Sequence, residues 1–130
     1  MAAVSETSTK NVVIVDDDDG VRDSTQALLE ACGYRVAPFP SAADFLRHAG
    51  AENTGCLLLD LNMPGMNGIE LLEVLRSRSI ATPAIVLTAN GEKLSARMAK
   101  AGVLKILRKP VSEGDLLHWI EIAFGSGQAP

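Results

Sequence analysis

The sequence lacks several features that mark whole classes of protein. No apolar run approaches the roughly 18 residues needed to cross a membrane. The opening segment MAAVSETSTK has neither the basic nor the apolar part of a secretory signal peptide. There is no basic cluster and the net charge is -4, which argues against a general nucleic-acid binder. These absences predict a cytoplasmic protein that contacts neither a membrane nor nucleic acid directly.

Cysteine and histidine are scarce, with two of each. Cys32 and Cys56 form no CxxC motif and have no histidine nearby, so they indicate neither a zinc site nor a disulfide but two small buried thiols. His48 and His118 are isolated in helix-like segments. We expect both to be surface or half-buried side chains rather than metal ligands.

What the sequence does contain is a regular alternation of apolar runs and helical patterns. Its 130 residues are 47% apolar, which fits one domain with a proper core. Several runs are apolar throughout, as expected when helices cover both faces of a sheet. The order predicts an α/β fold: a doubly wound, five-stranded parallel sheet with flanking helices, (βα)5. Strands are predicted at 11–15, 35–39, 56–61, 83–89 and 104–110, within a domain at 11–124 that lies between a flexible tail, 1–10, and a C-terminal tail, 125–130.

Local residues predict where several elements end. Pro38 predicts that the second strand lies at an edge of the sheet. Gly33 and Gly50 are predicted to end the first two helices. Ser41 and Ser112 are predicted to cap the second and fifth helices.

Polar residues follow four of the strands. Asp16 and Asp17 end the first strand, Asp60 the third, Thr88 the fourth and Lys109 the fifth. In open parallel sheets, sites lie beyond the carboxyl ends of the strands, so we expect these side chains to converge.

Three converging carboxylates repel one another unless a cation lies among them. Oxygen-only ligation with few protein ligands favours Mg²⁺. A metal, the Lys109 ammonium and the Thr88 hydroxyl together can bind three oxygens of a phosphoryl group in transfer. The nucleophile would then be a carboxylate, and Asp60 is the best candidate because it ends the most apolar strand.

The run Asp16–Asp19 divides into two pairs. The first pair ends a buried strand and is predicted to organise the cation. The second pair is predicted to begin the first helix, where Asp18 or Asp19 caps free N–H groups.

The motifs VVIVDDDDGVR, LLLDLNMPGMNGIELL, AIVLTA and RKP, in this order, resemble the receiver domains of two-component response regulators. Spacings of 44, 28 and 21 residues, from Asp16 to Asp60, to Thr88 and to Lys109, also suit that family. The resemblance runs from about Asn11 to Phe124 and implies a flavodoxin-like topology. It implies a single-domain response regulator that takes part in a phosphorelay and is not an enzyme, although it would assist its own phosphorylation and autodephosphorylation.

The resemblance also implies roles for individual residues. Asp60 would accept phosphate from a histidine kinase or a histidine phosphotransfer protein, and phosphorylation would change the binding of a downstream protein. Asp17 and Asp60 would bind Mg²⁺ (or Mn²⁺) directly, Asp16 through water and Asn62 through its backbone carbonyl. Thr88 and Lys109 would bind phosphoryl oxygens. The Lys109–Pro110 peptide is expected to be cis, and Met63, Pro64 and Gly68 are expected to shape the loop into the third helix.

The family's switch moves the Thr88 position inward, and an aromatic residue on the last strand follows. Here that position holds Ile106, which departs from the family pattern. The segment from Thr88 to Gly102 is about one residue short, which predicts a short or mobile fourth helix. Within it, Leu94 and Met98 are interpreted as core residues.

Other interpretations remain open. A pseudo-receiver would bind partners without being phosphorylated, and a DNA-binding output could lie beyond Pro130. A haloacid-dehalogenase-type phosphatase would need a second acid two residues after Asp60, where this chain has Asn62. Arg22 and Arg108 flank the predicted site and are interpreted as solvated surface.

Overall fold

The structure, a computed structural model, describes residues 10–48 and 54–126. Its sheet has five parallel strands in the order β2-β1-β3-β4-β5, which confirms the predicted doubly wound, flavodoxin-like topology. The strands are β1 (Asn11–Val15), β2 (Arg35–Phe39), β3 (Cys56–Asp60), β4 (Ala84–Thr88) and β5 (Val103–Arg108). The helices are α1 (Asp19–Ala31), α2 (Ala42–Arg47), α3 (Gly68–Ser77), α4 (Ala96–Lys100) and α5 (Glu113–Ser126).

The sheet separates two apolar cores, because successive side chains of a strand point to opposite faces. In β3, Leu57 and Leu59 pack with α2, α3 and α4, whereas Cys56 and Leu58 pack with α1 and α5. All five residues of β3 and all five of β4 are buried. This burial on both faces explains why these strands read as continuous apolar runs and not as alternating ones.

Strand β5 contains a bulge that places its side chains with an unusual period. Ala84 pairs with Val103, but Ile85 pairs with Lys105, so β5 has one extra residue at this point. Val103 and Ile106 therefore both face the α3 side of the sheet. Without the bulge, residues three apart would lie on opposite faces.

Polar side chains cap the helices largely as predicted. The side chain of Asp18 accepts from Val21 N at 3.0 Å, so Asp18 and not Asp19 caps α1. Ser41 caps α2 and Ser112 accepts from Asp115 N at the start of α5, both as predicted. Gly33, just beyond α1, has the positive φ of a helix stop.

Two expectations about individual side chains were wrong. Cys56 is buried, but Cys32 is exposed because it follows the last turn of α1. Leu94 is 54% exposed, although Met98 is buried as predicted. The fourth helix begins only at Ala96, where Ser95 supplies the cap, so Leu94 belongs to the preceding loop.

Some expectations fall outside the described residues: Gly50 as a helix stop and most of both predicted tails. Over 10–48 and 54–126, no helix is long and apolar enough to cross a membrane.

The predicted edge position of the strand with Pro38 is confirmed, since β2 is the outermost strand next to β1. His48 and His118 are exposed, as expected.

Candidate phosphoacceptor site

Three aspartates meet at the carboxyl ends of β1 and β3. Asp16 directly follows β1 and Asp60 is the last residue of β3; their side chains are 1% and 3% exposed. Asp17 is exposed at the rim. One carboxylate oxygen from each of the three lies within 4.8 Å of the others. The predicted convergence of these carboxylates is therefore confirmed.

Lys109 brings an ammonium group to the same point from the end of β5. Its Nζ lies 2.9 Å from Oδ2 of Asp16 and 3.4 Å from Oδ2 of Asp60. Partial burial alone would lower the pKa of Lys109, but the two carboxylates outweigh this and raise it. One ammonium thus faces two buried carboxylates, which leaves the site with excess negative charge.

The pKa of Asp60 is raised from 3.8 to about 6. Burial is the largest cause, and the nearby charge of Asp16 adds to it. The hydrogen bond from Asn62 N, at 3.0 Å, and the charge of Lys109 both act against this rise. Asp60 is therefore a poorly solvated carboxylate held among charged neighbours.

The side chain of Thr88, the last residue of β4, is buried. Its hydroxyl contacts residues of the loops that follow β3 and β4. Its Oγ1 donates to the Glu92 carboxylate and lies 3.4 Å from Oδ1 of Asn62. Oδ1 of Asn62 also accepts from Ala89 N at 2.9 Å. The hydrogen bond from Thr88 lowers the pKa of Glu92. Sequence reasoning missed both side chains, since it assigned Asn62 only a backbone role and gave Glu92 none.

Two further residues shape the site. Arg22 was expected to be solvated, but its side chain is only 14% exposed and its Nη1 donates to the carbonyl of Asp16 at 2.7 Å. This bond fixes the turn after β1. Gly68 begins α3 against β3: a β-carbon there would lie 2.7 Å from the carbonyl oxygen of Asp60, so only glycine permits this approach. Arg108, by contrast, is exposed as expected.

The arrangement of oxygens suits a hard divalent cation. Oδ2 of Asp16 is buried and accepts from the Lys109 ammonium at 2.9 Å. A carboxylate oxygen can accept from two partners, so this oxygen can also bind a cation or a water molecule. Carboxylate oxygens from three residues, one of them at the exposed rim, are ligands that Mg²⁺ accepts.

The remaining predicted residues lie around this centre. The Lys109–Pro110 peptide is cis, as expected. Ile106 is half-buried and packs against the core on the α3 side, where it pairs with Val86 in the middle of β4. Met63 is buried in the same core.

Comparison with known proteins decides the family. The family model of the response regulator receiver domain matches residues 12–121. The chain belongs to this family. The resemblance inferred from the motifs is confirmed, and receiver domains are signalling domains of two-component systems.

Relatives of this receiver domain are known in sequence and in structure. The transcriptional regulatory protein FixJ of Azorhizobium caulinodans is 36% identical over 115 residues, which cover 88% of this chain and 54% of FixJ. The solved response regulator StyR has a TM-score of 0.83 and 42% identity, over 89% of this chain and 60% of StyR. FixJ-N has a TM-score of 0.79 and 36% identity, over 89% of this chain and 94% of its own. The chain spans about half the length of the curated relatives it matches.

The raised pKa of Asp60 predicts how the stability of this receiver domain depends on pH. A carboxyl whose pKa is higher in the folded state binds more protons there than in the unfolded chain. Asp60 therefore lowers the free energy of unfolding as the pH rises from about 4 to about 6. Asp60→Asn removes this effect, so the variant should gain on the order of 2 kcal/mol over the wild type near pH 7.5 and about nothing near pH 4.

Urea unfolding at several pH values, with divalent cations chelated, measures this difference. An advantage of Asp60→Asn that is the same at every pH would contradict a raised pKa at Asp60.

Proposed function

We propose that this chain is the phosphoacceptor domain of a histidine-to-aspartate phosphorelay and that Asp60 receives the phosphoryl group. The observation that carries this proposal is the placement of Asp60. It is buried, it lies next to two further carboxylates, and it faces the Lys109 ammonium at 3.4 Å. An inert surface acid needs none of these costly arrangements.

The transfer needs a metal ion, and the chain offers ligands for one. We propose that Asp17 and Asp60 bind Mg²⁺ or Mn²⁺ directly, that Asp16 acts largely through water and that Asn62 contributes its backbone carbonyl. When bound, the ion would neutralise charge that develops on the phosphoryl oxygens. The three carboxylates, which face the single ammonium of Lys109, support this assignment.

The step itself is a displacement at phosphorus. A carboxylate oxygen of Asp60 forms a bond to the phosphorus of a phosphohistidine, the P–N bond breaks, and the imidazole leaves and takes up a proton. Lys109 forms an ion pair with one phosphoryl oxygen, and the hydroxyl of Thr88 donates a hydrogen bond to another. The same groups would assist autodephosphorylation, in which water attacks the phosphorus, the P–O bond to Asp60 breaks, and inorganic phosphate leaves the free carboxylate.

Phosphorylation would shift the conformation through the end of β4. Thr88 moves toward the phosphoryl group, and Ile106 is the residue on β5 that could follow it. Ile106 is smaller than the family's usual aromatic residue and has no hydroxyl, so the two positions should be less tightly coupled here.

The proposed partners are a histidine kinase or a histidine phosphotransfer protein upstream and a protein target downstream. Matched relatives such as FixJ are transcriptional regulators about twice as long as the matched region. We assign no nucleic-acid or membrane contact to this chain, whose net charge is -4.

Intact-mass measurement with a small phosphodonor tests the proposal. Incubation with acetyl phosphate and Mg²⁺ should add one phosphoryl group to the wild type and none to Asp60→Asn. No added mass in either protein would contradict the proposal and favour a pseudo-receiver. Continuous turnover of phosphate esters would instead indicate a hydrolase.

A further inference from the structure

The hydroxyl of Thr88 is already engaged. A hydroxyl has one proton, and here it is directed to the carboxylate of Glu92. The second acceptor, Oδ1 of Asn62, is 3.4 Å away. An ionised carboxylate is the stronger acceptor, so Glu92 is the main partner of this proton.

Glu92 reaches Thr88 because of the shape of the loop after β4. Gly91 has a φ of +72°, which turns the chain so that Glu92, four residues beyond Thr88, comes back over the strand end. The loop stays close to the strand because Asn90 N donates to Oγ1 of Thr88 at 3.2 Å and Ala89 N donates to Asn62. The contact thus belongs to an organised loop.

We propose that Glu92 is a positioning residue that holds the Thr88 hydroxyl in the unphosphorylated state and competes with the phosphoryl group for its proton. This inference rests on the proposed role of Asp60. A phosphoryl group on Asp60 needs the same single proton that Glu92 accepts. Both acceptors are anionic, so they also repel each other and cannot share the hydroxyl. Glu92 must leave before Thr88 can bind the phosphoryl group.

The exposure of Glu92 sets the size of the effect. Its carboxylate is solvent-exposed, so it can leave Thr88 for water without burying a charge. Glu92 therefore weakens phosphoryl binding without blocking it. Loss of the Glu92 carboxylate should tighten the binding of a phosphoryl analogue by about three- to tenfold. This range corresponds to the net contribution of one hydrogen bond.

Calorimetric titration with fluoroberyllate, a phosphoryl analogue, in the presence of Mg²⁺ measures its binding affinity and tests this role. Glu92→Gln keeps the size of the side chain but replaces the carboxylate with a neutral amide, whose oxygen is a weaker acceptor for the Thr88 proton, so it should bind the analogue about threefold more tightly than the wild type. Glu30→Gln is the matched control, because Glu30 is also exposed but lies near the end of α1, where it accepts from Gln26. The control should bind like the wild type.

A second pair of variants, both carrying Thr88→Val, distinguishes the hydrogen bond to Thr88 from charge repulsion by Glu92 at a distance. In a Thr88→Val background, the hydroxyl is missing, so Glu92→Gln should change the affinity less than twofold. An equal gain in both backgrounds would overturn the proposed action through Thr88, because it would reflect charge repulsion alone. Unchanged affinity of Glu92→Gln, with normal binding by the wild type, would overturn the role of Glu92 and leave the proposed function standing. Absence of binding by the wild type would overturn both.

Discussion

Asp17→Ala should slow Mg²⁺-dependent phosphorylation of Asp60 by on the order of 100-fold or more, because a metal ion supplies several kcal/mol of transition-state stabilisation. Asp17 is the exposed member of the carboxylate cluster, so it is the ligand through which a hydrated cation can enter. Its loss would leave Asp16, which already faces Lys109, and Asp60, the nucleophile itself.

The same change should not harm the fold. The side-chain contact with Asp17 is the smallest of the causes that raise the pKa of Asp60, so it slightly disfavours the ionised form of Asp60 in the metal-free protein. Asp17→Ala removes this contact without opening a cavity, since the side chain is exposed. We therefore expect an equal or slightly higher free energy of unfolding when divalent cations are chelated.

Asp19→Ala is the matched control from the same run of aspartates. Asp19 is 83% exposed and pairs with Arg22, outside the carboxylate cluster. This variant should be phosphorylated at close to the wild-type rate, measured as the initial rate of mass gain from acetyl phosphate. If Asp19→Ala blocked phosphorylation as strongly as Asp17→Ala, the division of the run into a metal pair and a helix-starting pair would be wrong.

Lys109→Met should lower the free energy of unfolding by about 3 kcal/mol near pH 7.5 in the absence of divalent cations. Lys109 is the cation within 4 Å of the two buried carboxylates in the part of the chain that the structure describes. Its removal leaves Asp16 and Asp60 buried without a counter-charge. Proton uptake by Asp60 limits the loss, because its pKa is already about 6 and would rise further without the ammonium.

Two conditions distinguish this charge effect from lost packing. Mg²⁺ should restore much of the stability of Lys109→Met, since a bound cation would replace the ammonium, and acidic pH should do the same by protonating Asp60. Lys100→Met, which alters an exposed lysine at the end of α4, should change stability by less than about 0.5 kcal/mol. A Lys109→Met protein that is equally destabilised with and without Mg²⁺, at both pH values, would contradict this explanation.

Much of the fold could be predicted because strong local patterns agreed with the final packing. The strands β3 and β4 are apolar over their full length and are buried on both faces. Pro38 placed β2 at the edge, where a strand can spare a donor. The bulge in β5 was not predictable, because it depends on the register with β4 and not on the sequence of β5 alone.

The backbone positions of the site could also be predicted, but several of its side-chain contacts could not. Asp16, Asp60 and Lys109 lie at the carboxyl ends of three parallel strands, so the sheet itself brings them together. The contacts of Arg22 and Glu92 depend on how two loops turn after their strands. The late start of α4 could have been inferred from Ser95, because serine is favoured as the residue that caps the beginning of a helix.

The residue that accepts the phosphoryl group can be identified chemically. The protein is treated with acetyl phosphate and Mg²⁺, reduced with borohydride and digested, and the peptides are sequenced by mass spectrometry. Borohydride converts an aspartyl phosphate to homoserine, so we expect homoserine at Asp60 and unmodified aspartate at Asp16 and Asp17. Homoserine at either of those two positions, with Asp60 unchanged, would contradict it.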